Sequence, residues 1–275
     1  GIYTDLGAKG LRDLLFDENR VTGLFCFENR KTIFEGVDSR FKFVVLTFEK
    51  GGGTECFPTA FMRHDVAELE RFPTEGALEL RVDLIRRLSP DSHSLMEFKS
   101  EMDVRIAGKM LKFPSLGDSV GGKWSFSLCN EFHMSNDSHC FKTEPKIGRL
   151  TLFEGKMIHQ FTHQFADARY WVDEKDGRAL LLGRTQDSGQ TLNYQCYRMG
   201  HRSIASNTNE RTMIAAILPP KTFFGHSINA SSGKISEKEL LFITSILNSF
   251  TVDYSLRQRD RKSVVLGKSV DIGGR

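Results

Sequence analysis

The pattern of apolar and polar positions predicts an amphipathic helix near each end of the chain. The segment LRDLL at 11–15 places its leucines at helical spacing. Toward the other end, helical spacing starts at Leu240 and continues toward Leu256. Ser236, followed three residues later by Glu239, forms a capping box and predicts the start of this second helix.

Other runs are typical of strands. Val21–Phe27 is rich in β-forming residues, and Phe41–Phe48 is almost continuously apolar before the glycines at 51–53. The second run predicts a strand buried on both faces. Glu28–Arg40 is a polar connection between the two. Met213–Leu218 predicts a further short buried strand, which stops at two prolines.

The segment between these regions predicts a helical connector. Ala60–Phe72 and Ala77–Leu88 both carry apolar residues at helical spacing, with Pro73 and Pro90 as breakers. The polar, glycine-containing sequence that follows predicts one strand, at Lys123–Leu128.

Composition narrows the class of protein. The chain has 275 residues, 39% hydrophobic and 27% charged, which is typical of a soluble globular protein with one large or two small domains. No apolar run approaches the ~20 residues that span a bilayer, and the first residues lack a signal-peptide core. The scattered, odd-numbered cysteines favour reduced thiols in a cytoplasm. They are Cys26, Cys56, Cys129, Cys140 and Cys196.

Charge is informative only locally. The net charge is +3, but residues 142–221 hold twelve lysines and arginines against eight acidic residues. Within this region, Tyr197–Pro220 combines basic and amide side chains with the apolar run described above. Such a strip suits a polyanion, because arginine and asparagine can satisfy phosphate oxygens or base edges with several hydrogen bonds. The alternative is an ordinary loop and strand with solvated charges.

Several blocks of the sequence, in one order, resemble type IIG restriction–modification enzymes and related phage-defence N6-adenine DNA methyltransferases. The resemblance covers most of residues 1–258. The blocks are FENRKTIFEGVDSRFKFVVLTF, LFEGKMIHQF, RYWV, RSIASNTNERTMIAAILPP and LLFITSILNSFTVDYSLRQ.

The resemblance implies an α/β fold: the C-terminal end of a Rossmann-like methyltransferase sheet, followed by a mixed α+β DNA-recognition domain. Residues 1–57 would end the catalytic domain, 58–114 would be the helical connector, and 115–258 would be the target-recognition domain. Residues 259–275 depart from the family pattern, and we interpret them as a non-native or disordered tail.

The implied activity is methyl transfer from S-adenosylmethionine to adenine N6 in a specific sequence of double-stranded DNA. The family's cofactor loop and its Asn/Asp-Pro-Pro-Tyr motif are absent from this sequence, so we predict no catalytic or cofactor-binding residue within it and no activity for it alone. Phe34 matches the aromatic that stacks on the extruded adenine; the alternative is that Phe34 belongs to the core. A nuclease, fused or separate, would lie outside this sequence.

The resemblance and the basic strip together give the predicted DNA contacts. Two of them have an alternative role. Arg211 could instead pair internally with Glu210 or a carbonyl, and Lys156 could instead support the fold. The candidates are Lys156, Arg198, Arg202, Asn207, Asn209 and Arg211.

The sequence leaves two other functions to consider. A non-enzymatic DNA-specificity module could act with a separate catalytic subunit. A metal-dependent hydrolase could use His159 and His163, which would share one helix face at i, i+4, but Gln160 stands where such enzymes carry glutamate. A loose cluster at 129–140 also lacks a recognised metal-finger spacing. We therefore predict no metal site.

Overall fold

A computed structural model describes residues 1–114, 116–118, 126–204, 209–233 and 235–257, and the backbone of 269–271. These residues form a mixed α/β structure with three mixed sheets. They divide into two compact units, Gly1–Phe113 and Pro114–Arg257. The division falls one residue from the predicted start of the target-recognition domain.

The first unit is built on one four-stranded sheet with the order β2-β1-β3-β4. Strand β1 runs antiparallel to β2 and parallel to β3, and β4 runs antiparallel to β3. The elements are α1 (Lys9–Glu18), β1 (Asn19–Glu28), β2 (Lys42–Lys50), β3 (Cys56–Arg63), α2 (Ala67–Arg71), β4 (Leu78–Arg81), α3 (Val82–Leu88) and α4 (Glu101–Met110).

Both faces of this sheet carry buried apolar side chains. The larger cluster brings Phe16 of α1 and Ile85 of α3 together with Leu24 and Phe57 of the strands. On alternate positions of β1, Phe25 and a second phenylalanine form a smaller cluster with Ala60. Because side chains alternate along a strand, a sheet covered on both faces reads as a continuous apolar run.

Strand β2 differs from its prediction in burial. The run at 41–48 does form a strand, but β2 lies at the sheet edge and most of its residues are exposed or half-buried. Phe48 and Val45 are exposed. Within the described residues, only β1 pairs with β2, so its outer backbone edge is open.

The predicted helical connector is wrong in its first half. Ala60 lies in β3, and only Ala67–Arg71 of the segment 60–72 is helical. Likewise, Leu78–Arg81 forms a strand before α3 begins. Pairing with β1 decides the conformation of β3, because burial of Phe57 and Ala60 against the sheet overrides a weak helical periodicity.

The second unit contains two sheets, with the orders β10-β9-β12-β5-β13 and β11-β7-β8-β6. Its strands are β5 (Ser127–Asn130), β6 (Phe141–Lys142), β7 (Arg149–Phe153), β8 (Tyr170–Asp173), β9 (Arg198–Arg202), β10 (Ala215–Leu218), β11 (Phe223–Phe224), β12 (Ile228–Ser232) and β13 (Ser269–Asp271). Its helices are α5 (Glu174–Leu182), α6 (Glu237–Leu247) and α7 (Phe250–Arg257).

The five-stranded sheet is buried on both faces. On one face Met199 and Ala215 pack with Leu240 and Ile243 of α6. On the other, Ala216 and its alternate neighbours pack with residues of β7 and β11. The predicted buried strand at 213–218 is therefore confirmed as β10.

Helix α6 begins as predicted but ends earlier. The Ser236 hydroxyl accepts from the Glu239 amide, which confirms the capping box. The helix stops at Asn248, whose buried side chain accepts from the Ala215 amide and donates to the Ala215 carbonyl, at 3.0 and 2.8 Å. This pairing with the β10 backbone separates α6 from α7, which the sequence pattern joined.

Two predicted segments fall mainly outside the described residues. The predicted strand at 123–128 is seen only from residue 126, and β5 begins at Ser127. Of the predicted tail at 259–275, only the backbone of Ser269–Asp271 is described, and it pairs in parallel with β5. In the described part of the chain, no helix is both long and apolar enough to cross a membrane.

Candidate nucleic-acid interface

Arg198 opens the predicted basic strip, yet it lies in the interior of the second unit. Its side chain is 1% exposed and pairs with Glu131 at 2.6 Å, while the other terminal nitrogen donates to the Thr222 carbonyl. The guanidinium also lies 4.9 Å from the centre of the Phe224 ring. A cation enclosed in this way cannot reach a phosphate, so the predicted DNA contact of Arg198 is corrected to a structural role.

The same strand buries His201 completely. Its Nδ1 lies 2.9 Å from the Arg202 carbonyl oxygen, and its Nε2 has no hydrogen-bond partner among the described residues. Burial lowers the pKa of His201 to about 4, because the charged imidazolium loses its solvation there. His201 is therefore a neutral side chain of the core and is not available to a ligand.

Arg202, at the end of β9, is half-buried and holds a neighbouring segment in place. Its Nε and Nη2 donate to the Ile158 carbonyl at 3.1 and 2.6 Å. Burial also lowers the pKa of its guanidinium. The structure thus gives Arg202 a positioning role, and its contact with phosphate remains a prediction.

The segment that Arg202 holds, residues 154–165, carries exposed basic and aromatic side chains. Lys156 lies on a short 3-10 turn, is 51% exposed and pairs with Glu154 at 3.1 Å. A few residues on, Phe161 and Phe165 are exposed, and His159 stacks on the Phe165 ring at a centroid distance of 4.7 Å. Lys156 is consequently a predicted DNA contact that the structure leaves accessible to a phosphate.

The sequence reasoning did not single out Phe161 and Phe165. Their signal is two aromatic residues, four positions apart, within the otherwise polar stretch HQFTHQF. Exposed aromatic rings beside a cation are the combination that binds bases and backbone of nucleic acids.

The far end of the basic strip is fixed by α7. Asp253 accepts from the amides of Thr212 and Met213, both at 2.7 Å. Arg211 lies 3.8 Å from Asp253 and 3.8 Å from the centre of the Phe250 ring. Arg211 therefore pairs internally, as its alternative held, but with Asp253 rather than with Glu210 or a carbonyl.

Asn209 is exposed, and its carbonyl accepts from Arg257 at 2.9 Å. Its side chain remains a candidate for DNA contact. Asn207 lies outside the described residues.

The loop between β1 and β2 presents Phe34 to solvent. The Phe34 side chain is 52% exposed, and its ring meets that of Phe43 at 4.7 Å and 70°. The fully buried Asn29 fixes the loop: its amide donates to the carbonyls of Phe34 and Val37, and its oxygen accepts from the Phe34 amide. Phe34 is thus a rigidly held surface aromatic and not a member of the core, as the alternative would require.

The helix weighed for a metal site does not form. His159 and Thr162 close a tight turn, and His163 faces the Phe153 ring at 6.1 Å. In the second cluster, Cys129 is buried and His133 stacks on His226 at 5.0 Å. Across the residues that the structure describes, no group of three or more His, Cys, Asp or Glu side chains could hold a metal ion.

A cavity in the first unit does not fit S-adenosylmethionine. Apart from Arg12 and Tyr3, whose hydroxyl already donates to Glu97, its walls are formed by apolar side chains such as Leu15 and Phe57. Arg12 donates to the carbonyls of Ile2, Asp5 and Ser92, so its donors are already bound. The amino-acid and ribose groups of the cofactor would meet no free polar partner there.

Comparison with known proteins gives only weak similarities. No family model matches the chain, and no curated protein matches it. Among solved structures, the type IIG restriction endonuclease BpuSI aligns with a TM-score of 0.36 and 13% identity. The alignment covers 94% of this chain but 37% of that one, so the chain spans little more than a third of that protein's length. Similarity at this level does not establish a shared fold.

Proposed function

We propose that this chain is the DNA-recognising part of a site-specific adenine-N6 DNA methyltransferase of the restriction–modification or phage-defence type. The observation that carries the proposal is Phe34, a surface aromatic held by the buried Asn29 at the position where the sequence resemblance places the base-stacking residue. Neither the burial of Asn29 nor the exposure of Phe34 was evident from the sequence pattern.

Stacking on Phe34 would favour the extruded base. Flipping an adenine out of the duplex costs a few kcal/mol, and stacking on an aromatic ring returns about 1–3 kcal/mol of this. Because Asn29 makes three hydrogen bonds to the loop, the ring is positioned before DNA arrives, and little conformational entropy is lost on stacking.

The open edge of β2 supports the remainder of the proposal. Phe48 and Val45 are exposed beside unpaired backbone groups, an arrangement that favours pairing with a further strand. The strands that would pair there belong, in this proposal, to the catalytic sheet that carries the cofactor loop and the Asn/Asp-Pro-Pro-Tyr motif. S-adenosylmethionine would bind to that sheet, and the residues of this chain would grip DNA and select its sequence.

The stacking role can be tested in the complete methyltransferase. We expect Phe34→Ala to retain affinity for the target duplex in fluorescence anisotropy while slowing single-turnover methylation about 5- to 150-fold, the equivalent of 1–3 kcal/mol. Phe34→Trp should retain the rate. A duplex with an abasic site opposite the target adenine should partly restore Phe34→Ala, because the base is then already unpaired and costs less to extrude.

The matched control is Phe113→Ala, which removes an even more exposed phenylalanine from the same unit. It should leave both affinity and rate unchanged. Methylation by Phe34→Ala at the wild-type rate would contradict the stacking role.

The same open edge of β2 is also compatible with a second function, a DNA-specificity module completed by a separate catalytic subunit. The two are distinguished by purifying the polypeptide encoded by the complete reading frame and measuring transfer of a labelled methyl group to DNA. Activity of the single polypeptide supports the methyltransferase. Activity that appears only after a second subunit is added supports the module.

A further inference from the structure

Phe161 combines two features that nothing among the described residues of the second unit explains. Its φ is +64°, in the left-handed region, which costs roughly 1–2 kcal/mol for a residue with a bulky side chain. Its side chain is also 64% exposed, so little buried apolar surface offsets this cost. Met62, the other large apolar residue with positive φ among those described, packs against the core of the first unit.

The surrounding structure holds the Phe161 turn, residues 159–162, firmly. His159 and Thr162 exchange backbone hydrogen bonds at 2.9 and 3.1 Å, and the Phe161 amide donates to the Ala215 carbonyl of β10 at 3.0 Å. The Gln160 side chain donates to the carbonyls of Met213 and Asn248, each at 3.3 Å. The turn is therefore clamped to β10 and to the end of α6, and it projects one aromatic ring into solvent.

Strain at a rigid, exposed position points to a partner outside the chain. Lys156 is exposed in the same segment, as is Phe165, whose ring stacks on the half-buried His159, and Thr162 and Gln164 add polar groups close to Phe161 in the sequence. Phe161 has polar neighbours in the sequence, and the other exposed ring of the segment, Phe165, stacks on His159; a ring in such surroundings differs from the broad apolar core of a protein–protein interface. It matches the apolar wedges that DNA-bending proteins insert between base pairs.

We infer that Phe161 is a wedge that enters the base stack of bound duplex DNA and bends it. This rests on the proposed DNA-recognition function and adds the way in which the duplex is deformed. The clamped turn supplies the stiffness that unstacking requires, because a flexible loop would yield before the base step opened. Lys156 would bind a phosphate nearby and hold the duplex against the ring.

The test uses the full 275-residue chain and duplexes selected by it from a pool of randomised 20-base-pair sequences. One set carries 2-aminopurine at successive positions, and the other carries a donor and an acceptor dye at its ends. We expect the chain to raise 2-aminopurine fluorescence at one step and to increase energy transfer between the ends. Phe161→Asn should lose both effects, since asparagine tolerates the left-handed backbone but cannot act as a wedge. Phe161→Trp should keep both.

Phe242→Gln is the matched control, because Phe242 is similarly exposed on α6 of the same unit. It should behave as the unaltered chain. Thermal unfolding of Phe161→Asn should show no loss of stability, which separates a lost wedge from a misfolded turn.

The outcomes separate the inference from the proposed function. If the unaltered chain binds no duplex, the DNA-recognition function fails and the wedge fails with it. If the unaltered chain binds but leaves 2-aminopurine fluorescence and energy transfer unchanged, the wedge is overturned and DNA recognition stands. The same conclusion follows if Phe161→Asn changes both signals as much as the unaltered chain does. Loss of self-association in Phe161→Asn, without any change in DNA deformation, would assign Phe161 to a protein interface and overturn the wedge as well.

Discussion

Strand β9 and the segment 154–165 both carry cations that the sequence predicts to bind DNA, but the structure buries one and exposes the other. Arg198 on β9 is enclosed with Glu131 and Thr222, whereas Lys156 is half exposed on a short turn. Arg202 lies between these extremes and joins the two regions through the Ile158 carbonyl. The exposure of the basic side chain thus rises from Arg198 through Arg202 to Lys156, all within the same unit.

The difference teaches what decides the role of a cation. A strand whose two faces are both covered, as β9 is, turns any charged side chain into an internal counterion that must be paired. A turn at the surface leaves its lysine solvated, where a nearby glutamate adds little stability and a phosphate can compete for the charge. Basic residues of one unit therefore differ in role: Arg198 is an internal ion, whereas Lys156 stays accessible to a partner outside the chain.

The largest effect on stability is expected at Arg198. We expect Arg198→Ala to lower the free energy of unfolding by about 3–5 kcal/mol, because it leaves the Glu131 carboxylate buried and unpaired. Burial already raises the pKa of Glu131 to about 7, and loss of the opposing arginine should raise it further. With the folded pKa above the unfolded one, the variant should lose stability as pH rises from 6 to 8.

Urea unfolding of the second unit at pH 6 and at pH 8 measures both the loss of stability and its dependence on pH. Lys156→Ala is the matched control, since removal of a surface cation should change stability by less than about 0.5 kcal/mol. A cost below about 1 kcal/mol for Arg198→Ala would show that the ion pair is not the internal support described above.

His201 sharpens the comparison through pH. Its folded pKa of about 4 lies below the unfolded value near 6.5, so the unfolded chain binds more protons between these values. The contribution of neutral His201 to the free energy of unfolding should therefore be fully present above pH 6.5, and the free energy should fall by about 3 kcal/mol as pH drops toward 4. Calorimetric unfolding between pH 4 and 7 follows this loss.

His201→Gln should flatten that part of the pH profile, although its stability at pH 7 will be lower. His139→Gln, which alters an exposed histidine of the same unit, should leave the profile unchanged. Equal slopes for the unaltered chain and His201→Gln would refute the assignment of His201 to the core.

Arg202→Ala tests the link between the two regions. Loss of its hydrogen bonds to the Ile158 carbonyl should cost about 1–3 kcal/mol, since the bonds involve a charged donor. DNA affinity should fall because the segment 154–165 loses its support, yet the salt dependence of binding should keep its slope. Arg202→Lys, which retains one donor, should recover part of the stability. A slope reduced by about one would instead show direct contact with a phosphate.

The smallest effect on stability is expected at Lys156. Lys156→Ala should unfold as the unaltered chain does but lower the slope of log affinity against log salt by about one, the change for one lost phosphate contact. Anisotropy with a fixed duplex at several salt concentrations measures the slope. Lys99→Ala, an exposed lysine of the first unit, is the control. An unchanged slope for Lys156→Ala would place the DNA elsewhere on the chain.

Local pattern predicted several elements correctly. Helix α1, strand β10 and the capped start of α6 follow from apolar spacing and from Ser236 with Glu239. The same reasoning failed for β3, where pairing with β1 overrode helical spacing, and it joined α6 to α7 across Asn248. Both failures involve partners remote in sequence, which a window of neighbouring residues does not contain.

The candidate site, like the fold, was only partly predictable from the sequence. The residues alone show which positions carry charge, which segments are apolar, and that an aromatic stands between β1 and β2. Only the tertiary structure decided that Arg198 is an internal ion, that Asn29 holds Phe34 outward, and that Phe161 projects from a clamped turn. The physical reason is distance along the chain: Glu131 lies 67 residues from Arg198, and burial depends on what folding brings together.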